Sequence, residues 1–258
     1  MDALTALRLQ IEWGADEALD EAPANRLAPR PPTRAIQPAE PPPRPLPRPT
    51  PIVTALPVPA QRARDIANAC NSLEELRVAL AAYDGCPLST TATNLVFADG
   101  NPDSGLMLVG EGPGAEEDRA GRPFVGPSGQ FLDRMLGTIG IDRTSCYITN
   151  LIPWRPPGNR NPTDSEIVVC LPFLLRHIAL ARPKRLVLLG NMSVQSVLAT
   201  KTGITRMRGK WLDVTIPGLD APLPALPMLH PAYLLRNPGA KRDAWADMIT
   251  LRRTLDAA

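Results

Sequence analysis

The sequence predicts an α/β domain whose parallel sheet is covered by helices on both faces. Three short apolar runs have the length and composition of buried strands, and they occupy residues 106–109, 146–151 and 185–189. Segments with helical periodicity lie between these runs, which is the pattern of a parallel sheet. Because open α/β sheets bind ligands at the carboxyl ends of their strands, the residues that follow each run are the candidate site.

The domain is organised around the Gly-rich stretch LMLVGEGPGAEEDRAGRPFVGPSG, residues 106–129. Its apolar strand ends in Gly-Glu-Gly-Pro-Gly, where glycines permit backbone conformations that other residues rarely adopt. Three acids follow, and Arg-Pro-Phe-Val-Gly then places an aromatic ring beside the loop. A helical pattern starts at Pro127. Strand, loop and helix together indicate a ligand site at this strand end.

Proline and charge divide the chain into three parts. Fourteen of the 31 prolines lie between Pro23 and Pro59, so residues 22–61 are predicted to be a Pro/Arg-rich flexible linker. The sequence leaves open whether its arginines contact phosphates or are simply solvated. Residues 1–21 have a net charge of −5 and apolar residues at helical spacing, which predicts a short amphipathic helix that docks on a protein partner or frays. Residues 62–258 are left for the folded domain.

Several protein classes are excluded or disfavoured by composition. No apolar run approaches the length of a transmembrane helix, and the N-terminus lacks the pattern of a signal peptide, so we expect a cytoplasmic protein that does not bind membranes. The four cysteines are widely spaced and form no CxxC pair. They are therefore expected to be buried thiols rather than disulfides or a self-evident metal site. The mildly basic charge of the domain is compatible with nucleic acid.

Capping signals and strand ends define the remaining elements. Ser72 and Glu75 form a predicted capping box at the start of a helix, and Thr163 caps a second helix that runs to about residue 181. Between them, the second strand ends at Asn150 and is followed by a stiff basic loop. The last predicted strand ends at His230, immediately before a proline.

Three blocks resemble the uracil-DNA glycosylase superfamily, most closely the bacterial and archaeal family 4. The blocks are GEGPGAEEDRAGRPFVGPSGQFLDRML, YITNLIPWRPPGNRNP and HPAYLLRNP. The resemblance covers roughly residues 84–250 and implies a three-layer α/β/α sandwich around a four-stranded, mainly parallel sheet. It also implies a monomeric enzyme that works at the nucleoid, flips uracil out of DNA and hydrolyses its N-glycosidic bond, leaving an abasic site.

Three other functions compete with this one. No lysine lies in the three blocks to act as a Schiff-base nucleophile, which argues against a strand-cleaving lyase and for a monofunctional glycosylase. A non-catalytic module that binds uracil-containing or abasic DNA and recruits repair or replication partners is the alternative. A phosphate-binding hydrolase is disfavoured because the sequence has neither GxxxxGK[ST] nor GxSxG.

The resemblance implies roles for the residues at the strand ends. Phe124 would stack on uracil and Asn150 would read its edge, because an amide offers one donor and one acceptor. His230 would donate to O2 of the departing base. Glu111 and Glu117 would be the catalytic acids, and the sequence does not divide water positioning and sugar stabilisation between them. Two glycines would bring backbone amides close to the substrate, namely Gly112 and Gly114.

DNA contacts are expected around the same site. Leu235 and Arg236 would form the wedge that fills the space left by the flipped base, as apolar side chains do in other DNA-bending proteins. Three arginines are candidate phosphate ligands: Arg155, Arg160 and Arg208.

The resemblance also implies a cofactor that the sequence does not support. Family 4 members usually hold an iron–sulfur cluster with four cysteines, and the corresponding positions here are Tyr83, Cys86, Trp154 and Cys170. Neither Tyr nor Trp replaces a thiolate at such a site. We therefore expect no metal and no cluster, with Cys86 and Cys170 as remnants of the ligand set, although recruitment of Cys70 or Cys146 stays open.

Overall fold

A computed structural model describes residues 57–256. The predicted N-terminal helix, residues 1–21, and nearly all of the predicted linker, residues 22–61, lie outside this range. Within it, no helix combines the length and apolar character needed to cross a bilayer.

The described domain is built on a mixed sheet of six strands. Strands β1 to β6 span, in chain order, Asp99–Gly100, Leu106–Gly110, Tyr147–Asn150, Arg185–Leu189, Leu212–Val214 and Leu223–Met228. Their spatial order is β1-β3-β2-β4-β6-β5. The four central strands are parallel, whereas β1 and β5 pair antiparallel at the two edges. The carboxyl ends of β2, β3 and β6 therefore lie at one edge of the sheet.

Ten α-helices of the described range cover this sheet. Helices α1 to α10 span Val58–Ala69, Leu73–Ala81, Leu88–Thr91, Ala115–Ala120, Pro127–Thr138, Asp164–Ala181, Asn191–Val197, Ile204–Met207, Pro231–Arg236 and Lys241–Asp256. Short 3-10 turns span Pro102–Ser104, Pro157–Asn159 and Pro238–Ala240.

The central strands send alternate side chains into two separate cores. In β2, Met107 and Val109 pack with α1, α2 and α6 on one face. Leu106 and Leu108 pack with α5 and α10 on the other. This alternation is the expected period of a strand, and it explains why the strands read as continuous apolar runs. The domain is an α/β/α sandwich with three layers.

The predicted fold class is confirmed, with a correction to the strand count. The four parallel strands are those that the resemblance implies, and the structure adds the edge strands β1 and β5. A strand of two or three residues has too few side chains to show an alternating pattern, so β1 left no signal in the sequence.

The folded domain begins before the predicted boundary at residue 62. Helix α1 starts at Val58, and Ala60 is fully buried. Its buried face is a stripe of alanines, and these residues pack with the core beside α6. Alanine gives a weak hydrophobic signal, and the nearby prolines made these residues look like linker.

Both predicted helix caps are present, but the Glu75 carboxylate bonds a different backbone amide from the predicted one. Thr163 and Glu166 form the complete capping box of α6, with each side chain bonded to the other residue's backbone amide. At α2, Ser72 Oγ accepts from the amide of Glu75 (3.1 Å). The Glu75 carboxylate, however, accepts from Asn71 (2.7 Å) rather than from Ser72.

Candidate active site

A cavity of about 220 Å³ opens at the carboxyl ends of β2, β3 and β6. All three sequence blocks contribute to its walls, so segments that are far apart in the chain meet there. The lining residues are Glu111, Gly112, Pro113, Gly114, Glu117, Phe124, Ser128, Asn150, Pro156, Asn159, Arg160, Asn161, Pro162, Met192 and His230. The predicted catalytic and substrate-binding residues are all in this set.

The Phe124 ring forms one wall of the cavity. It is 4 % exposed and stacks beside the His230 imidazole, with ring centroids 5.5 Å apart and planes inclined by 29°. Gly110, the last residue of β2, lies against the ring and against Asn150 Oδ1, and a Cβ at this position would overlap both. The glycine therefore allows a flat ring and a polar amide to be held side by side.

Asn150 is the last residue of β3, lines the cavity and carries a buried polar atom that has no partner within residues 57–256. The residue is 5 % exposed, and its Oδ1 is buried with no hydrogen-bond partner among the described residues. Buried polar atoms without a partner are rare because their desolvation is not compensated. An amide in the cavity wall whose oxygen is unpaired is a candidate for recognition of a ligand that offers a complementary donor.

The imidazole of His230 is held as a neutral donor. Nδ1 accepts a hydrogen bond from the backbone amide of Ala232 (3.1 Å), so the ring proton of the neutral form lies on Nε2. Burial lowers the pKa of His230 to about 4, with a smaller contribution from the charge of Arg236. At neutral pH this residue offers an N–H to the cavity and carries no charge.

Glu111 and Glu117 have different environments. Burial raises the pKa of Glu111, and the opposing amide bonds of α7 do not fully offset it. Its Oε1 accepts from the amide of Met192 (2.9 Å), which uses one of the two carboxylate oxygens. Glu117 uses both: Oε2 accepts from Gly114 (3.0 Å) and Oε1 from Gly126 (2.7 Å).

The two bonds of Glu117 join the two loops that shape the cavity. Gly114 closes the Gly-rich loop, and Gly126 follows the segment that carries Phe124. The carboxylate is 7 % exposed and so acts as a bridge within the wall. Glu111, which is less buried than Glu117, is the acid with more freedom to meet a bound molecule.

The three predicted phosphate-binding arginines differ in their partners. Arg160 lines the cavity and forms a bidentate pair with Glu166 (2.7 and 2.9 Å). Arg155 donates to Asn159 Oδ1 (2.7 Å) and is partly exposed. Arg208 is instead held inside the domain by the Asp247 carboxylate (2.7 and 3.0 Å).

Arg208 thus has an internal partner where the sequence suggested a phosphate contact. Its side chain is only 19 % exposed. The basic stretch around Arg208 gives no indication that a buried aspartate 39 residues later is its partner.

The predicted wedge lies on the short helix α9, which begins next to His230. Leu235 is 40 % exposed and Arg236 is exposed beside it. The charge of Arg236 lowers the pKa values of both Glu111 and His230, which places this guanidinium near the cavity. Tyr233, also 40 % exposed, adds apolar surface to the same helix.

The positions of the implied cluster ligands form part of the apolar core. Sγ of Cys86 and Sγ of Cys170 lie 3.9 Å apart, and both residues are buried. The Tyr83 ring packs edge-on against Phe173 with centroids 5.1 Å apart. Trp154 is buried in the same core.

These residues do not fit an iron–sulfur cluster. Two thiols cannot supply the four ligands that such a cluster requires. No set of three or more Cys, His, Asp and Glu residues within residues 57–256 is arranged to hold a metal ion. The remaining thiols point elsewhere: Cys70 Sγ contacts the carbonyl of Ile66, and Cys146 Sγ contacts that of Asp142.

The sequence did not predict two residues that contribute to the site. Met192 acts through its backbone amide, which any residue type would supply. Arg143 precedes β3 and donates to the carbonyls of Pro123 and Phe124. Neither position has a local sequence pattern that indicates its contact, since both contacts depend on chain segments brought together by folding.

Comparison with known proteins identifies a matching family. The sequence model of the Uracil DNA glycosylase superfamily matches residues 97–249, a range that includes every residue assigned above to the site.

Similar curated proteins are type-4 uracil-DNA glycosylases. The chain is 37% identical to that of Pyrobaculum aerophilum over 182 residues, which cover 68% of this chain and 91% of the relative. It is 42% identical to that of Thermotoga maritima over 153 residues, which cover 59% and 77%. It is 35% identical to that of Sulfurisphaera tokodaii over 187 residues, which cover 70% and 84%.

Proposed function

This chain belongs to family 4 of the uracil-DNA glycosylase superfamily and is a DNA glycosylase, and we propose that it is monofunctional. It binds uracil flipped out of DNA and hydrolyses the bond between N1 of uracil and C1′ of the sugar. The products are free uracil and an abasic site. The partner is DNA that contains uracil.

The observation that carries the proposal is the Asn150 amide, whose buried Oδ1 has no partner among the described residues, in the wall of a cavity that Phe124 and the neutral His230 also line. Uracil offers a donor at N3–H and an acceptor at O4. The Asn150 amide can accept from the first and donate to the second, while Phe124 stacks on the ring. Cytosine has the opposite pattern on this edge and would leave both amide groups mismatched.

His230 supplies the stabilisation of the leaving group. As the glycosidic bond breaks, its electron pair moves into the base and negative charge grows on O2. The Nε2–H of His230 donates to this oxygen. Because Nδ1 is already bonded to the Ala232 amide, the donor is oriented before reaction and needs little reorganisation.

Glu111 is the acid that we assign to the attacking water. Its carboxylate is held at one oxygen by α7, and it lines the cavity. It can accept a proton from water as oxygen bonds to C1′, and its charge favours the cationic sugar. Glu117, whose oxygens are both bonded to backbone amides, maintains the shape of the wall and stands as a barrier beside the base.

The DNA-binding surface follows from the position of α9. This helix begins directly after His230, which lines the cavity, and its exposed Leu235 and Arg236 would form the wedge that replaces the extruded nucleotide in the base stack. Arg155 and Arg160 lie on the opposite loop, and they would contact the phosphates that flank the flipped residue.

The test is base release from a uracil-containing oligonucleotide by the full-length protein. We expect free uracil and a strand that breaks only after alkali treatment. Breakage without alkali, or a borohydride-trapped covalent complex, would indicate a lyase. Tight binding without any release of uracil would instead favour the alternative of a non-catalytic binding module.

The role of Glu111 predicts a specific pH dependence. Because burial raises the pKa of Glu111 above its ordinary value of 4.5, the single-turnover rate should fall as pH drops through that raised value and the carboxylate gains a proton. Glu111→Gln should lower the plateau by about 10²-fold or more and remove this acid limb. A Glu111→Gln variant that keeps the same limb would assign the titration to another group.

We further propose that the protein works without an iron–sulfur cluster. The Tyr83 and Trp154 side chains occupy the core where the two missing cysteines would stand, and the Tyr83 hydroxyl donates to the carbonyl of Pro59 (2.7 Å). The hydroxyl thus ties α1 to this core while the Tyr83 ring packs on Phe173 of α6, a structural task that buried aromatic residues can fulfil.

Protein purified under anaerobic conditions should contain far less than one iron per chain and show no visible charge-transfer absorbance. The matched variant is Tyr83→Cys combined with Trp154→Cys, which restores four cysteines at the implied positions. Iron in this double variant would demonstrate that the measurement detects a cluster. A stoichiometric amount of iron in the parent protein would refute the proposal.

A further inference from the structure

The backbone of Phe124 has a conformation that must be imposed on it. Its φ is 55°, in the left-handed region that non-glycine residues rarely adopt and that is unfavourable for a bulky side chain. Such backbone persists only where surrounding contacts over-determine it. The contacts that enforce this conformation therefore set the position of the ring in the cavity wall.

One enforcing contact comes from the first turn of α5. A Cβ on Gly129 would overlap the carbonyl group of Phe124. The helix thus packs directly on the Phe124 backbone, and only glycine allows this approach. This contact limits where the carbonyl can lie, but it is steric and cannot pull the carbonyl into place.

The attractive contact is made by Arg143. Its guanidinium donates from Nη1 to the carbonyl of Pro123 (3.2 Å) and from Nη2 to that of Phe124. Two consecutive carbonyls are therefore fixed by one planar group. Arginine suits this task because its donors have a rigid relative geometry.

Arg143 is itself held from two sides. Nη1 forms an ion pair with Asp99 in the edge strand β1, and Nε donates to Asp133 of α5 (3.0 Å). The side chain is 26 % exposed. Sheet edge, helix and loop are thus connected through one side chain, four residues before the strand that ends in Asn150.

We propose that Arg143 is a positioning residue that holds the Phe124 ring in register with Asn150 and His230. The inference rests on the proposed function, in which that ring stacks on uracil. Without the guanidinium, the loop can relax from its left-handed conformation and the ring loses its fixed place in the wall. Misplacement of a binding group by about 1 Å can cost about 10²-fold in rate.

The matched control is Arg176, which makes the same kind of contact away from the cavity. Its Nε and Nη2 donate to the carbonyl of Cys70 (2.9 and 2.6 Å). Loss of either arginine leaves a backbone carbonyl without its charged donor. Arg143→Met and Arg176→Met should therefore both lower the midpoint of thermal unfolding, and only the first should affect uracil.

The experiment uses the full-length chain and compares both variants below their unfolding temperatures. Arg143→Met should weaken inhibition by free uracil about tenfold or more and lower the single-turnover rate about 10- to 100-fold. Affinity for an abasic duplex should change little. Arg143→Lys should recover part of the loss, because an ammonium can still donate to one carbonyl. Arg176→Met should match the parent in all these measurements except stability.

Fluorine NMR reports on the surroundings of the Phe124 ring, and a loss of stability alone would not change its resonance in the folded protein. The chain has four phenylalanines, so labelling with para-fluorophenylalanine gives four resonances, and the Phe124 signal is identified by its loss in Phe124→Tyr. Arg143→Met should shift or broaden this signal and leave the other three in place. If Arg143→Met does not fold, Asp133→Asn removes one holder of the guanidinium and should produce a smaller change of the same kind.

An unchanged Phe124 signal and unchanged uracil inhibition in Arg143→Met would overturn the inference. This failure is separable from failure of the proposed function. If the parent protein does not release uracil, the proposed function fails, whereas the NMR comparison still reports whether Arg143 positions the ring.

Discussion

Replacing His230 with alanine is expected to lower the single-turnover rate of uracil release by about 10²- to 10³-fold, or about 3 to 4 kcal/mol of transition-state stabilisation. The loss follows from removing a preorganised N–H from the place where charge develops on the leaving base. Binding of uracil-containing DNA should change much less, because the ground-state oxygen carries little charge.

The effect should be nearly independent of pH above about pH 5. Since burial lowers the pKa of His230 to about 4, the imidazole is already neutral there and its donor state does not change. The ratio of parent to variant rates should therefore stay constant between about pH 6 and pH 9. A ratio that falls as the pH rises through the ordinary pKa of histidine would indicate a charged imidazolium.

His177 offers the control for this measurement. It is buried and bonded to the Tyr147 hydroxyl (2.9 Å), and burial lowers its pKa to about 3. Like His230 it is a buried imidazole with a lowered pKa, but it does not line the cavity. His177→Gln should reduce stability and leave the chemical step intact. His230→Gln, which keeps an N–H donor, should be faster than His230→Ala. Excision at the parent rate by His230→Ala would remove this residue from the mechanism.

Changing Asn150 to aspartate should lower uracil release by about 10³-fold or more at pH 8, the second large effect that we expect. The change conserves shape and exchanges the NH₂ donor for an acceptor. An ionised carboxylate accepts only, so it would face O4 of uracil with a second acceptor in a buried site. Cytosine, whose exocyclic amino group donates, should gain relative to uracil.

Two measurements separate recognition from general charge repulsion. Asn161→Asp adds the same charge at the exposed rim of the same cavity, and it should reduce the rate only modestly and without a change in base preference. Release of uracil and of cytosine is then compared for the parent and both variants. Equal losses in the two aspartate variants would mean that Asn150 does not read the base.

Much of the candidate site could be predicted because its residues follow strands. Phe124, Asn150 and His230 lie in blocks that end or follow β2, β3 and β6, and parallel strands bring their carboxyl ends to one edge. The family resemblance carried by those blocks is confirmed by the matching superfamily model. The individual roles of these residues stay predictions until the variants are measured.

Other features could not be predicted because they depend on partners distant in the chain. Arg208 looked like a free cation, yet its partner is Asp247 on the last helix. Glu111 and Glu117 are equivalent as residue types, and only the amides that meet them distinguish their environments.

The sequence by itself determined the α/β class and predicted a site at the strand ends, because periodicity and glycine positions are local properties. Its resemblance to family 4 implied that two cluster ligands are replaced by Tyr83 and Trp154. Tertiary structure decided which groups are paired, buried or left open. It revealed the unpaired Asn150 oxygen, the neutral state of His230 and the hold of Arg143 on the Phe124 backbone. Each of these depends on desolvation and on donors from other segments, and these become defined only when the chain is folded.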